Sequence, residues 1–433
     1  MSLCRGLGGG ARGGRARGAS AVRMAARAAS SRKGTALVPV ANGTEEMEAV
    51  ILADVLRRAG MEVSVASVEA DKAVRCSRQV TIVADEMIGD VVGESFDLVA
   101  VPGGMPGAER LRDSADLASV LANHVGLVGA VCAAPQVVLQ GQSLFKGRRM
   151  TCHPAFQPML AGPKDSVGNR VVVDAGLITS QGPGTTFEFA LSLVGELLGH
   201  EAAAEVGEPM VLPNDAEESL ARFGDPGPSA ALDTTPSVLV PIANGTEEME
   251  AVILADVLRR AGFRVVIASC EDGILQIEAS RMVKIRADCL LEKVLGESFD
   301  AILLPGGMPG AERLGGNESL VRMLRDQKKE GRLYGAVCAA PAVALQPNGL
   351  MDQIEAATCH PGFMHALASP SEARVVLSQN CLTSRGPGTT FEFALAAIAI
   401  LSGEESTVAE VAGPMVLPAS FDPSRFAEKL GRH

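Results

Sequence analysis

Two long stretches of this 433-residue chain are near copies of one another. Residues 41–60 read ANGTEEMEAVILADVLRRAG, and residues 243–262 repeat them without a change. Further pairs follow in the same order, among them VPGGMPGAERL with LPGGMPGAERL, and GAVCAAP and GPGTTFEFAL in both copies. A repeat of about 200 residues has the length of a whole domain and is too long for a solenoid unit. The chain is therefore predicted to contain two copies of one domain, and a functional site should occur twice.

Each copy alternates between predicted strands and predicted helices. Short apolar runs at 36–41 and 238–243 are typical of strands buried on both faces of a parallel sheet. A helix follows each run, and we expect Thr44 and Thr246 to cap these helices. With 47% hydrophobic residues and no Trp, the composition favours close packing of helices on sheets. We predict two tandem flavodoxin-like, Rossmann-like α/β sandwich domains, each a parallel sheet with helices on both faces.

Three segments fall outside the predicted domains, which span 35–212 and 237–418. Residues 1–34 carry eight basic residues and no acidic one, in a chain whose net charge is −12. A basic leader rich in Ala, Gly and Ser is typical of an organelle transit peptide; a basic arm for nucleic acid is the alternative, which the acidic remainder disfavours. Residues 213–236, rich in Pro, Gly and acidic residues, are predicted to be a linker, and 419–433 a tail.

The leader favours import into a chloroplast, with a mitochondrion as the alternative, or the cytosol if the leader is not used. No apolar run reaches the roughly 18 residues that a membrane span needs, so we expect no membrane partner. The nine cysteines include no C-x-x-C pair, which favours free thiols in a reducing compartment. Their spacing also fits no structural zinc site, and we expect neither a metal nor a cofactor.

One cysteine in each copy stands at a junction between strand and helix. Cys132 and Cys338 follow apolar strands and precede Ala-Ala-Pro, where proline is tolerated in the first helical turn. The positive end of the helix would favour the thiolate, as in a nucleophile elbow built on sulfur. A small buried cysteine in a tightly packed region is the alternative. The second copy does not separate these interpretations, because a duplication copies core and site alike.

Other residues in each copy suit chemistry at that sulfur. Glu48 and Glu250 lie among apolar helix residues, where an unpaired carboxylate is unfavourable to bury. If they point inward, their pKa should rise and the protonated carboxyl can donate a hydrogen bond to the sulfur; an exposed helix charge is the alternative. Backbone N–H groups are predicted to bind substrate by stabilising a developing oxyanion, at Gly103, Gly104 and Ala133 and at Gly306, Gly307 and Ala339.

A histidine follows each cysteine by about 20 residues, in the sequence TCHP. A histidine before proline is often a loop residue with a structural hydrogen bond. Together with the cysteine and the glutamate, however, His153 and His360 complete a set suited to acid–base chemistry around a nucleophile.

The motifs GTEEMEAVILADVLRRAG, PGGMPGAERL, AVCAAP, TCHP and GPGTTFEFAL, in this order, resemble those of the DJ-1/PfpI superfamily, in particular its Parkinson-disease-associated deglycase branch. The tandem arrangement resembles that of plant and green-algal members. The resemblance implies a reactive nucleophile at Cys132 and Cys338 and a protonated glutamate at Glu48 and Glu250, with the histidines in positioning or proton transfer. It also implies that the helices bearing the glutamates form an internal pseudo-dimer.

The resemblance further implies a cofactor-independent glyoxalase, a lyase of the glyoxalase III type, that protects against carbonyl and oxidative stress. It would convert methylglyoxal or glyoxal to lactate or glycolate through a cysteine hemithioacetal. The expected partners are small reactive aldehydes, with glycated proteins as further substrates of a deglycase activity. The alternative is a redox-sensing chaperone whose cysteine is oxidised to a sulfinate. A peptidase is less favoured, since nothing in the sequence encodes a peptide-binding groove, as is an amidotransferase, since neither copy has a late His-x-Glu.

Overall fold

The computed structural model describes residues 34–213, 220–223, 235–418 and 421–422. The predicted leader and tail lie almost wholly outside these residues, as does most of the predicted linker. Within the described ranges, no helix is both long and apolar enough to cross a membrane.

The first repeat alternates strands and helices along the chain. Its strands are β1 (Thr35–Val40), β2 (Glu62–Ser67), β3 (Ala73–Arg75), β4 (Thr81–Val83), β5 (Glu86–Met87), β6 (Leu98–Val101), β7 (Leu127–Val131), β8 (Val171–Asp174) and β9 (Leu177–Ser180). Its helices are α1 (Glu46–Arg58), α2 (Ile88–Val91), α3 (Gly107–Asp113), α4 (Ala115–Asn123), α5 (Thr186–Leu198) and α6 (His200–Gly207). Within the described residues the main sheet has the order β5-β2-β1-β6-β7-β9-β8, and its pairs are parallel except for β8 with β9.

The second repeat follows the same plan. Its strands, preceded by β10 (Leu220–Phe223), are β11 (Ser237–Ile242), β12 (Arg264–Ser269), β13 (Gln276–Glu278), β14 (Lys284–Arg286), β15 (Cys289–Leu290), β16 (Ala301–Leu304), β17 (Leu333–Val337), β18 (Val375–Ser378) and β19 (Cys381–Ser384). Its helices are α7 (Glu248–Arg260), α8 (Gly310–Gly316), α9 (Glu318–Lys329), α10 (Thr390–Ser402) and α11 (Glu405–Ala412). The order in its sheet is β10-β18-β19-β17-β16-β11-β12-β15.

Strand side chains divide between two apolar layers. In β1, Val38 packs in the cluster that contains the α1 and α5 side chains, whereas Leu37 packs in the cluster that contains those of α3 and α4. Alternation of this kind requires helices on both faces of the sheet. The predicted fold, two tandem α/β domains with parallel-dominated sheets, is confirmed.

Helices α1 and α7, which have the same sequence, form the centre of the molecule. Every residue of α1 from Glu46 to Leu56 is buried, as expected for a helix covered on all sides. Helix α1 packs against α5 of its own repeat and against α7 of the other. The predicted threonine cap is wrong, because the Thr44 hydroxyl accepts from the Ala41 N–H at 2.9 Å and so stabilises the turn before the helix. The residue at the cap position is Glu45.

A small antiparallel sheet joins the two repeats. Hairpin β3–β4 of the first repeat and hairpin β13–β14 of the second meet where β4 pairs with β14. The aromatic rings of Phe187 and Phe391, which are equivalent positions of the two repeats, meet edge to face with centroids 6.4 Å apart. One apolar core therefore runs through both repeats, with side chains of α1, α5, α7 and α10 in a single cluster.

The predicted linker contains a strand that the sequence did not indicate. Strand β10 pairs in parallel with β18 at the edge of the second sheet, and Leu220 is buried there. The four-residue segment LARF has too few positions to show a strand pattern, and Pro, Gly and acidic residues flank it. Part of the segment between the domains therefore belongs to the second sheet.

Candidate active site

Each candidate cysteine occupies a strained turn at the carboxyl end of a strand. Cys132 follows β7 with a φ of +63°, and Cys338 follows β17 with a φ of +64°. Left-handed backbone is uncommon for residues other than glycine, Asn and Asp, and it often marks functional sites. The backbone N–H of Cys132 donates to Ser180 O at 3.0 Å, which holds the turn against the sheet. The sulfur is thereby presented beyond the strand edge, partly buried, as the predicted elbow requires.

The predicted glutamates point inward. Glu48 and Glu250 are fully buried, and each accepts a hydrogen bond from a glycine N–H at 2.7 Å, from Gly103 and Gly306 respectively. Each carboxyl also contacts the sulfur of its own repeat. Burial raises the pKa of Glu48 to about 8, helped by the nearby charge of Glu45, and raises that of Glu250 to about 7. The expected rise is therefore present in both repeats.

A short π-helix, Pro135–Gln140, begins three residues after Cys132, and its positive end predicts a lowered thiol pKa, whereas the thiol pKa is raised. Burial raises the pKa of Cys132, the Glu48 carboxylate raises it further, and the backbone N–H of Gly104 opposes the rise. Proximity to a carboxylate in a poorly solvated site outweighs the partial charge of the helix end. Because the sulfur and the carboxyl are in contact, the protonation of one changes the pKa of the other. When Glu48 holds the proton, its charge no longer opposes a thiolate and its O–H can donate to the sulfur.

The glycines allow this contact through their lack of a side chain. A Cβ on Gly103 would lie 2.7 Å from the Cβ of Cys132 and 2.8 Å from the N of Ala133. Gly104 has a φ of +89°, and a Cβ there would lie 2.2 Å from the N of Glu45. The prediction that Gly103 offers its N–H to an oxyanion needs correction, because Glu48 already accepts from it. Gly306 is engaged in the same way in the second repeat, whereas the N–H groups of Gly104 and Gly307 face the sulfurs.

The histidines tie each site to the other repeat. The backbone N–H of His153 donates to Cys132 O at 2.8 Å, and its Nδ1 accepts from the Ala155 N–H at 3.2 Å. Its Nε2 therefore carries the proton and donates to Pro414 O, 2.9 Å away in the second repeat. His360 makes the reciprocal bond to Pro209 O at 3.0 Å. Both ring nitrogens are thus occupied, which favours positioning over proton transfer.

Sequence reasoning missed the residues supplied by the opposite repeat. Pro209 and Pro414 stand in the segment PMVLP, whose recurrence in both copies was the available signal. Beside each site lies a cluster of three buried carboxylates whose oxygens come within 4.8 Å of one another: Glu45, Glu46 and Asp256, and Asp54, Glu247 and Glu248. An arginine, Arg260 or Arg58, contacts each cluster. We assign no metal to these clusters, because a guanidinium already supplies the positive charge.

The two repeats differ at the residue that follows the acceptor of the cysteine N–H, Ser180 or Ser384. Gln181 of the first repeat donates through its amide to Gly168 O at 3.1 Å. Its equivalent, Arg385, ion-pairs with Glu372 at 3.1 Å. A guanidinium thus stands in the second repeat where the first has a neutral amide.

Comparison with known proteins identifies the family. The DJ-1/PfpI family model matches residues 34–196 and 236–400, so the chain belongs to the DJ-1/PfpI family. It is 43% identical to Protein DJ-1 homolog B of Arabidopsis thaliana over 376 residues, 85% of each chain. It is 41% identical to homolog A of the same plant, over 86% of this chain and 96% of that one. A glutathione-independent glyoxalase of Caenorhabditis elegans, DJR-1.2, is 35% identical over 37% of this chain and 86% of its own.

Proposed function

We propose that each repeat is a glutathione-independent glyoxalase, which converts methylglyoxal to lactate and glyoxal to glycolate without a cofactor. The observation that carries the proposal is the contact between a cysteine in a left-handed turn and a buried glutamate that holds its proton near neutral pH. The same pair occurs in both repeats. The nematode relative named as a glyoxalase supports the same class of reaction.

The first proposed step is addition of the Cys132 sulfur to the aldehyde carbon. As the S–C bond forms, the carbonyl electrons move to oxygen, which takes a proton and completes a hemithioacetal. Glu48, whose carboxyl contacts the sulfur, accepts the thiol proton as the sulfur attacks and passes that proton to the new oxygen, so it ends the step as a carboxylate. The N–H of Gly104 faces the sulfur, close to where negative charge develops on oxygen.

The second proposed step moves hydrogen between the two carbons. The Glu48 carboxylate removes the C–H proton from the carbon that bears sulfur, and the electron pair passes to the neighbouring carbonyl to form an enediolate. Glu48 then returns the proton to the neighbouring carbon, and the hydroxyl proton of the first carbon passes to the second oxygen. The product is a thioester of lactate, and no external oxidant or reductant is needed.

Hydrolysis completes the cycle. Water adds to the thioester carbonyl, the C–S bond breaks, and lactate leaves with the sulfur restored. His153 keeps its hydrogen bond to Pro414 O during the cycle, so it positions the site against the opposite repeat and transfers no proton to or from the substrate.

The test is lactate formation from methylglyoxal by purified protein in the absence of glutathione. If the repeats are equally active, Cys132→Ala and Cys338→Ala should each retain about half of the turnover, and the double variant should have none. Cys289→Ala, which changes a cysteine outside both sites, is the matched control. Turnover that survives in the double variant would refute the proposal.

Redox sensing is the second candidate function. The protonated Glu48 carboxyl and the Gly104 N–H both face the sulfur, so both can donate to a sulfinate formed by oxidation. Mass spectrometry after peroxide treatment tests this function. A mass increase of two oxygens confined to Cys132 and Cys338 supports it, and random oxidation of the cysteines contradicts it.

The proposed function also implies partners for the protein and a role for the pairing of its repeats. Small reactive aldehydes are the proposed partners, with glycated proteins as further substrates. We also propose that the two repeats act as an internal pseudo-dimer, since β4 pairs with β14 and each histidine bonds to the opposite repeat. Import into a chloroplast remains a prediction from residues 1–34.

A further inference from the structure

Two buried ion pairs link the two repeats. Arg260 of the second repeat reaches Glu45 of the first, with Nη2 2.6 Å from Oε2. Arg58 of the first repeat reaches Glu247 of the second, with Nη2 3.1 Å from Oε1. The four side chains are between 4% and 13% exposed. Removing one partner of such a pair leaves an uncompensated buried charge, which strongly affects the groups beside it.

Each of these glutamates is joined to the active site through a glycine. The Glu45 N–H donates to Gly103 O at 3.0 Å, and the Gly103 N–H donates to Glu48 Oε2 at 2.7 Å. In the second repeat, Gly306 joins the equivalent glutamates by the same two bonds, of 2.9 and 2.7 Å. In the first repeat, besides burial, the charge of Glu45 raises the pKa of Glu48 and Arg260 lowers it. In the second repeat, besides burial, the charge of Asp54 raises the pKa of Glu250 and Arg58 lowers it. Charges interact strongly in such a poorly solvated environment.

The surroundings of Glu45 contain one cation in direct contact. Asp256 shares the Arg260 guanidinium, Glu46 belongs to the same carboxylate cluster, and the Ser77 hydroxyl donates to Glu45 Oε2 at 3.2 Å. Glu45 Oε1 is buried and accepts no hydrogen bond from the described residues. Among the described residues, Arg260 is thus the positive group that offsets the charge of Glu45.

The groups that face Glu48 come from four elements. They are Glu45 at the start of α1, the Cys132 sulfur after β7, the Gly103 N–H after β6, and at longer range Arg260 of α7. Among these groups Arg260 is the cation, and it belongs to the other repeat.

We propose that Arg260 and Arg58 are positioning residues for the active site of the opposite repeat. Arg260 offsets the charge of Glu45 beside Glu48, and Arg58 offsets the charge of Asp54 near Glu250. Each arginine thereby keeps the glutamate–cysteine pair able to exchange its proton near neutral pH. The proposal rests on the proposed function for any readout by turnover, but a readout by thiol reactivity is independent of it.

Arg260→Gln tests the proposal by removing the cation from Glu45. The Glu48–Cys132 pair should then hold its proton more tightly, because an unpaired negative charge lies beside it. Alkylation of Cys132 by iodoacetamide should slow about tenfold at pH 7, and its pH profile should move up by about one unit. Cys338 in the same molecule should keep its rate, which shows that the fold is intact. Arg260→Lys retains the charge and should restore most of the Cys132 rate.

Arg58→Gln is the matched control, because it should slow Cys338 and spare Cys132. Mass spectrometry of the peptides that contain each cysteine follows both alkylation rates without an enzyme assay. A negative glyoxalase result would therefore not affect this test. Equal slowing of both cysteines by either variant would overturn the proposal, as would an unchanged Cys132 in Arg260→Gln. Failure of Arg260→Lys to restore the rate would also overturn it, since packing rather than charge would then explain the effect.

Discussion

Replacing Glu48 by glutamine should change how the stability of the protein depends on pH. The carboxyl is fully buried, and burial with the charge of Glu45 raises its pKa from 4.5 to about 8. Between these pH values the unfolded chain binds fewer protons than the folded protein, because the exposed carboxyl is already ionised. The stabilisation from this group is therefore complete below about pH 4.5 and is lost as the pH rises to about 8.

The size of this effect on the unfolding free energy follows from the pKa shift of Glu48. At about 1.4 kcal/mol for each pH unit, the loss between these limits is roughly 5 kcal/mol of unfolding free energy. Glutamine does not ionise, and its amide oxygen can still accept from the Gly103 N–H, which Glu48 does now at 2.7 Å. Glu48→Gln should therefore match the wild type near pH 5 and exceed it by several kcal/mol at pH 8. Its glyoxalase turnover should nonetheless fall by ~100-fold or more.

Urea denaturation followed by circular dichroism at pH 5, 6, 7 and 8 measures this difference. Glu62→Gln, at an exposed position at the start of β2, is the matched control and should follow the wild type throughout. A difference between Glu48→Gln and wild type that stays constant from pH 5 to pH 8 would refute the reasoning.

Three other perturbations and a localisation test give further predictions. Gly103→Ala should slow alkylation of Cys132 relative to Cys338, because a Cβ would lie 2.7 Å from the Cys132 Cβ; equal rates would show that the turn can adjust. His153→Ala should lower the thermal midpoint by a few degrees through loss of its bond to Pro414, while turnover falls less than ~10-fold; a loss of ~1,000-fold would show that the imidazole carries a proton. Limited proteolysis should cut first within 224–234, to judge by its Pro, Gly and Ser content, and the two fragments should co-elute; first cleavage inside a repeat would contradict the domain limits. A reporter fused to residues 1–34 should enter plastids, and a cytosolic reporter would contradict the predicted leader.

The sequence predicted what depends on local pattern. Apolar runs indicated strands such as β1, and the repeated EMEAVILADVLRR indicated a helix, which the structure places at Glu46–Arg58 and Glu248–Arg260. The hairpins β3–β4 and β13–β14 were not predicted, because each strand has three residues and the β4–β14 pair forms between the repeats. Strand β10 was not predicted for a similar reason, since its partner strand lies more than 150 residues away in the chain.

Only the residues of the candidate site that lie within one repeat could be predicted from the sequence. Cys132 and Glu48 stand in motifs that suggest their chemistry, and the structure brings them together. Pro414 and Arg260 act on the same site from the other repeat, and no pattern within one copy relates them to it. The thiol pKa was wrong in direction because the sequence shows the helix start but not the distance from sulfur to carboxylate, which decides the sign.

Because the two repeats share a sheet within one chain, dilution of the protein should not separate them. Two separate single-repeat chains would form the β4–β14 pair by mass action, so their sites would lose the opposite histidine contacts as the concentration fell. In this chain the partner is covalently attached and its effective concentration is fixed by the tether. Each site therefore keeps its bond to Pro209 or Pro414 at any protein concentration. Covalent joining also fixes the pairing of a repeat that has Gln181 with a repeat that has Arg385, so every molecule carries one of each.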